Sequence, residues 1–367
     1  MILLLTFAIW LYLIFFHGRF WDSSPELAPS QPRDLPDVDI IIPARDEVET
    51  IGAVIGSLVN QSYDGHFRVI LVDDNSSDGT AAAAGVHDRL TIITGQEKPL
   101  GWSGKLWALS QGVAASEATV ILFADADITH APAHLSTLVE KMQSDNLQMV
   151  SEMVRLNCTS WAEKLLIPAF IYFFQMLYPF ARVNNPRTRT AAAAGGTVLI
   201  KRHALEQIGG LDRIKSALID DVSLAREVKK TGGIYLGHSG LATSIRPYPS
   251  LKDIWDMIAR TAYTQLRYSP LWLIGTIAGM ALVWLVFVWF TFFTGFSWQA
   301  GLGLAIWAMV AMSYFPTLDR YQVPRLYAAL LPGIALFYML ATIGSAVNHY
   351  CGTGAKWKRR SYDGANS

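Results

Sequence analysis

A mostly parallel α/β sheet flanked by membrane-spanning helices is the fold class that three observations predict. Charge is scarce, the middle of the chain alternates short apolar runs with helical patterns, and both flanks carry long uncharged stretches. The 367 residues hold 30 Lys+Arg and 30 Asp+Glu and are 51% hydrophobic but only 16% charged, against about 25% charged in soluble domains. That balance argues against an ordinary soluble enzyme. Zero formal net charge gives no basic face for nucleic acid, so no nucleic-acid partner is expected. Two cysteines, Cys158 and Cys351, are too few for a disulfide framework and lack metal-ligand spacing, which fits a reducing compartment.

The elements follow in order. Met1 to Phe16 is uncharged, with His17 and Arg19 after it, and Phe20 and Trp21 stand where a small-residue cleavage site would be. Residues 1–20 therefore read as an uncleaved anchor, shorter than the roughly 20 apolar residues of a full span and helped by Phe20 and Trp21 at the interface. From Pro36 to Arg267 polarity is ordinary. Val38 to Ile42 is a β-branched run closed by Pro43, and Glu47 to Leu58 has helical periodicity. Strands at Arg68–Val72, Thr91–Thr94 and Thr119–Ala124 and a helix at Lys105–Ala115 continue the alternation, which implies a sheet covered on both faces. Ala162 to Ala181 is apolar and aromatic but interrupted by Pro168 and Pro179, and an interfacial helix pair or the roof of a lipid pocket suits it better than a span, which would separate the acids on either side of it. Residues 268–350 divide into about three apolar segments near 271–293, 298–315 and 326–347, and 351–367 form a basic tail.

In a sheet of this kind ligands bind beyond the carboxyl ends of the strands, and three acidic clusters fall there. Asp73-Asp74-Asn75-Ser76-Ser77-Asp78-Gly79-Thr80 follows one strand; such a string also makes turns and caps helices. Asp125-Ala126-Asp127 follows another, and two carboxylates at this spacing supply hard oxygen ligands for Mg²⁺ or Mn²⁺ while a diphosphate fills the remaining positions. Asp220-Asp221 opens a helix running to Lys230, where acids also serve as simple dipole partners. Gly101-Trp102-Ser103-Gly104-Lys105 lacks phosphate-loop spacing, which leaves Lys105 either touching a phosphate or solvated at a helix start. Gly195-Gly196-Thr197 forms an acceptor-side loop or only a backbone bulge. The eight histidines show no metal-ligand pairing, and His130, His134 and His238 read as surface or capping residues.

Taken together, Pro43-Ala44-Arg45-Asp46-Glu47, Asp73-Asp74-Asn75-Ser76, Gly104-Lys105 with Ala108-Leu109, Asp125-Ala126-Asp127, Gly209-Gly210-Leu211-Asp212 and Asp220-Asp221-x-x-Leu224 resemble, in this order, the family 2 glycosyltransferases of the GT-A fold. The resemblance covers about residues 37 to 232, and with the flanking apolar segments it is similar to the membrane-bound branch of ceramide glucosyltransferases and cellulose and hyaluronan synthases. Lys98-Pro99-Leu100-Gly101-Trp102-Ser103-Gly104-Lys105, Thr264-Gln265-Leu266-Arg267-Tyr268 and Trp357-Lys358-Arg359-Arg360-Ser361-Tyr362 resemble most the hopanoid-biosynthesis-associated group.

The resemblance implies roles. Pro43 and Glu47 border the nucleotide, Asp74 bonds a uracil-like base, Lys105 and Arg267 meet the phosphates, and Asp125 and Asp127 hold the ribose and the metal. Asp221 takes the position of the catalytic base, and Asp220 stands for the family's usual Glu. Gly196, Asp220, Gln265 and Tyr268 lie on the acceptor and diphosphate side. Gln265-Leu266-Arg267-Tyr268 is one residue shorter than the family's Gln-x-x-Arg-Trp element and ends in Tyr.

The expectation is an inverting, metal-dependent transferase that moves a sugar from a nucleoside diphosphate, a UDP-sugar by the resemblance, to a membrane lipid such as a hopanoid or another isoprenoid- or sphingolipid-like molecule. Its alternatives are a processive polysaccharide synthase and a non-catalytic membrane scaffold. Arg19, Arg260 and Arg267 place the catalytic domain on the cytoplasmic side of a bacterial inner membrane by the positive-inside rule, whereas three complete spans afterwards would export the tail cations.

Overall fold

The computed structural model describes residues 1–217 and 219–351, together with the backbone of a short antiparallel pair, 356–357 with 360–361. The rest of the basic tail, Lys358, Arg359 and Tyr362 included, lies outside the described residues. The chain separates into two compact units. One is built from Ser24–Asn157 and Arg182–Pro247 with the terminal strand pair, and the other from Met1–Ser23, Cys158–Ala181 and Tyr248–Ala355. This division differs from the expected continuous domain over 36–267, because 158–181 and 248–267 belong with the apolar helices.

The first unit carries the strands β1 (Val38–Ala44), β2 (Phe67–Asp73), β3 (Leu90–Thr94), β4 (Val120–Ala124), β5 (Ile128–His130), β6 (Met149–Arg155), β7 (Thr197–Lys201) and β8 (Ile234–Ser244). They form one sheet in the order β3-β2-β1-β4-β7-β6-β8-β5. β3, β2, β1 and β4 run parallel, as do β6 and β8, while β7 is antiparallel to both of its neighbours and β5 to β8. The sheet is thus mostly parallel, as expected, with β7 and β5 its antiparallel strands.

β1 shows why the sheet is covered on both faces. Val38, Ile40, Ile42 and Ala44 join a core with Ile51, Val54, Ile55 and Leu58 of the helix Ile51–Val59 and with Leu135 and Leu138 of the helix His134–Ser144. Ile41 points the other way, where its side chain and that of Val72 leave no room for a Cβ on Gly112 of the helix Gly104–Ala114. Period-two alternation therefore buries every residue of the strand, each large side chain contributing roughly 1.5–3 kcal/mol of burial. The loops after β1, β2 and β4 all open at the same sheet edge, with Asp74, Asp125 and Asp127 on it.

The second unit is helical. Trp161–Val183, Trp298–Arg320 and Arg325–Tyr350 are long and apolar enough to cross a membrane by length and composition. The first of these runs unbroken through Pro168 up to Leu177, so only Pro179 interrupts the segment expected to be an interfacial pair. Ile2–Phe16 is apolar but shorter. The expected segment 271–293 is not continuous: Pro270–Trp284 ends at Leu285 and Val286–Phe293 follows. Pro270–Trp284 also bends by 120° from Leu251–Gln265. At that bend Arg267 and Tyr268 take left-handed backbone conformations, φ 53° and 55°, and Ser269 caps the next helix by accepting the Trp272 amide. Aromatic edges pack the interior: Trp10 on Trp284 at 4.9 Å and Tyr172 on Tyr314 at 5.0 Å. Two buried tyrosine hydroxyls are hydrogen-bonded: Tyr172 is paired to Ser313 at 2.6 Å and Tyr338 donates to the Leu166 carbonyl at 2.9 Å.

Candidate active site

The loops after β1 and β2 are stitched to each other. Asp46, at φ 50°, accepts the Ser77 amide at 2.9 Å and donates its own to Ser76 Oγ at 3.0 Å. Glu47 N–H donates to Thr80 Oγ1 at 2.8 Å, and Val48 N–H to Asp78 Oδ2 at 3.0 Å. The Asn/Ser/Asp string is therefore largely a turn that sets the backbone of 46–48, and Asp78 also caps it by accepting the Thr80 amide. Asp74 is fully buried and pairs with Arg45, whose guanidinium lies 3.5 Å from its carboxylate and donates to its backbone carbonyl. Pro43 sits in β1 opposite Val72, beyond the Val38–Ile41 stretch that pairs with β4, so its missing N–H breaks no bond of that ladder.

A second group of residues meets around the carboxyl end of β4. Lys105, second in the helix that Ser103 caps, reaches Asp125 at 2.7 Å and Asp220 at 3.6 Å. It is thus an ion-paired lysine, not a solvated one. The Gly195-Gly196 loop passes between the acids: the Gly196 carbonyl accepts the Asp125 amide at 3.3 Å, and the Gly195 amide donates to Asp221 Oδ2 at 2.9 Å. A Cβ on Gly195 would lie 3.4 Å from both Asp221 Oδ2 and Lys105 Nζ, so the glycine lets the backbone run against both charges. Asp221 Oδ1 accepts the Val222 amide at 2.7 Å at the start of the helix Asp220–Val228.

These neighbours set the charges. Burial, and then the Asp220 carboxylate beside it, push the Asp221 carboxyl up to about 7, against the pull of Lys105 and the two amides. Burial also raises Asp125, with Asp127 and Asp220 adding to it and Lys105 opposing; water reaching the exposed third of its side chain tempers the shift. Lys105 is held charged: the loss of water is outweighed by Asp125 and Asp220.

Two arginines were not legible as site residues. Arg45 follows β1 and braces Asp74. Arg246, just past β8, binds Asp127 at 2.5 Å through Nε and Glu47 at 2.7 Å through Nη2. Only the β5–β8 pairing, Ile128 opposite Ser244, could have placed it there. Gln265, Arg267 and Tyr268 belong to the helical unit; there Gln265 accepts from Tyr178 OH at 3.2 Å and Tyr268 stacks on His349 at 4.5 Å.

The histidine expectation is corrected. His130, His134 and His238 are buried. His130 Nδ1 and His134 Nδ1 are 2.8 Å apart, His134 Nε2 lies 2.9 Å from Glu152 Oε2, and Ser239 Oγ donates to the same oxygen at 2.7 Å. This polar chain ties β5 to β6 and β8, which explains histidines without ligand spacing. No group of three or more His, Cys, Asp or Glu poised to hold a metal occurs among the described residues.

Residues 39–209 match the model of Glycosyl transferase family 2. The chain is 28% identical over 209 residues to the probable glycosyltransferase YdaM of Bacillus subtilis, covering 54% of this chain and 48% of that protein. It is 24% identical over 254 residues to the beta-monoglucosyldiacylglycerol synthase of Trichormus variabilis, covering 62% of this chain and 52% of the relative. The chain therefore spans about half the length of these curated relatives. Among solved structures, the mannosyltransferase PcManGT of Pyrobaculum calidifontis, in complex with GDP-Man and Mn²⁺, superposes with a TM-score of 0.56 at 19% identity, covering 95% of this chain and 97% of that one. At that identity the likeness establishes the fold, the GT-A arrangement.

Proposed function

Residues 39–209 match the Glycosyl transferase family 2 model, and from that match we propose that the protein moves a sugar from a nucleoside diphosphate to a hydroxyl of a membrane lipid, inverting the anomeric centre. The observation that carries this reading is the Asp221 carboxyl. It titrates near neutrality, is oriented by the Gly195 and Val222 amides, and stands among Lys105, Asp125 and Asp220 at the sheet edge. A base poised near the working pH takes the acceptor proton as the hydroxyl oxygen attacks the anomeric carbon and the bond to the diphosphate oxygen breaks. One displacement with one base inverts the centre.

Asp125 and Asp127 fit a divalent cation. Two carboxylates two residues apart are hard donors, and Mg²⁺ or Mn²⁺ characteristically takes one or two protein carboxylates and completes its shell with phosphate and water. When bound, such an ion neutralises charge on the departing diphosphate. Lys105, charged and paired with Asp125, adds a cation there, while Glu47 and Asp74 border the nucleotide, a uridine by the resemblance. Gly196 and Asp220 line the acceptor approach in this reading.

The glycolipid synthase among the relatives and the three helices long enough to cross a membrane support a lipid acceptor; its hopanoid or similar isoprenoid- or sphingolipid-like character rests on the sequence resemblance, and its place at the cytoplasmic face of a bacterial inner membrane on the positive-inside pattern. The test is transfer of radiolabel from a panel of nucleotide sugars into total membrane lipid. Label in organic-extractable lipid is the expected result. Label in insoluble polymer would favour a processive synthase, and no label from any donor would leave a non-catalytic scaffold.

A further inference from the structure

Arg246 joins two acids at the site. Its Nε donates to Asp127 Oδ2 at 2.5 Å and its Nη2 to Glu47 Oε1 at 2.7 Å. The backbone beneath it is pinned, because the Ile245 amide donates to the Asp127 carbonyl at 2.9 Å and Ser244 pairs with Ile128. The side chain itself is one third exposed. Asp127 and Glu47 are 17% and 12% exposed, so either carboxylate without a counter-charge would be costly there.

We propose that Arg246 is a displaceable counter-ion for Asp127. It neutralises this carboxylate and Glu47 before the nucleotide arrives, yields the Asp127 oxygen to the divalent cation, and turns its guanidinium to the diphosphate that arrives with the cation. The inference rests on the reading of Asp127 as a metal ligand.

The chemistry follows from charge. A free divalent ion must break a charge-assisted hydrogen bond and leave a guanidinium beside it, so it binds weakly alone. A diphosphate supplies the missing anion for both cations, and the guanidinium fork suits it bidentately. Metal and nucleotide therefore bind cooperatively, each raising the affinity of the other by the same factor. Arg246 in this account contacts the diphosphate directly after the exchange, and the purpose of the exchange is that metal stays in the site chiefly as its nucleotide complex.

The experiment measures Mn²⁺ binding to the full-length protein in detergent, by loss of the free-ion paramagnetic resonance signal, without nucleotide and with saturating UDP or GDP. In wild type, nucleotide should tighten Mn²⁺ binding strongly. In Arg246→Gln, Mn²⁺ alone should bind about tenfold or more tighter than in wild type, and the nucleotide effect should shrink by a comparable factor, the scale of one charge-assisted hydrogen bond. Arg246→Lys, which keeps the charge without the fork, should fall between the two. Mn²⁺ binding with equal nucleotide coupling in wild type and Arg246→Gln would overturn the exchange while leaving the metal reading intact. No Mn²⁺ uptake by any variant with either nucleotide would remove the metal reading, and this inference with it.

Discussion

Gly195 donates its amide hydrogen to Asp221 Oδ2 at 2.9 Å, tying the loop before β7 to the first turn of the helix Asp220–Val228. That bond fixes which carboxylate oxygen faces the loop, and Lys105 Nζ stands on the same flank of Gly195. A base, a cation and a backbone donor are thereby set by one turn of chain.

The pH dependence follows from Asp221. Its carboxyl is raised from 3.8 to about 7 in the folded protein, so the base form is lost as pH falls through about 7 and kcat/KM should fall with it, with a limb that Asp221→Asn lacks. The same shift costs stability. The unfolded carboxyl ionises near 3.8 and the folded one near 7, so stability present below about 4 declines as pH rises to about 7 and then levels. Asp221→Asn should be less sensitive to pH over that window in thermal unfolding; an identical slope to wild type would contradict this.

Lys105 holds the cluster together electrostatically. Lys105→Met removes the cation that opposes the rise of both Asp125 and Asp221, so the acid limb of the rate profile should move to higher pH. The nucleotide should also bind at least about tenfold more weakly, as loss of one charge-assisted contact implies. Calorimetry with UDP and a pH–rate series check both, and an unmoved limb would mean that Lys105 does not sense Asp221.

The buried histidine chain is structural. His130 Nδ1, His134 Nδ1 and Nε2, and Glu152 Oε2 form one continuous polar chain, and burial, with His134 beside it, holds His130 well below the usual imidazole range. His134→Ala leaves Glu152 with less support at 1% exposure, and should cost roughly 3–5 kcal/mol, the scale for removing one partner of a buried pair. A melting temperature equal to wild type would refute this.

The helical unit predicts how the protein fractionates. Trp298–Arg320 and Arg325–Tyr350 should keep the protein in the membrane pellet through high-salt and carbonate washes, with release only by detergent. Recovery in the soluble fraction would remove the lipid-acceptor proposal as well.

The strands and the acids after them were legible because their signals are local: β-branched runs followed by Asp73-Asp74 and Asp125-Ala126-Asp127 need only short-range pattern. Arg246 was not, since it reaches Asp127 and Glu47 only through the register of β8 on β5. The histidines misled for the same reason: His130 and His134 stand four residues apart, but their partner Glu152 comes from β6 and Ser239 from β8. The break at Leu285 inside the expected segment 271–293 lies in uniformly apolar sequence, where composition gives length but no backbone direction. Pro168 signalled an interruption that the long helix absorbs.

The most direct test of Asp221 as the base compares binding with turnover in Asp221→Asn. The substitution preserves the shape of the side chain but cannot accept a proton. Donor affinity measured by calorimetry should stay within a few-fold of wild type while sugar transfer falls by roughly 10² to 10⁴, the usual contribution of a positioned base. Asp127→Ala, by contrast, should lose both donor affinity and turnover. Normal transfer by Asp221→Asn would contradict the account and move the base elsewhere, with Asp220 the first residue to examine.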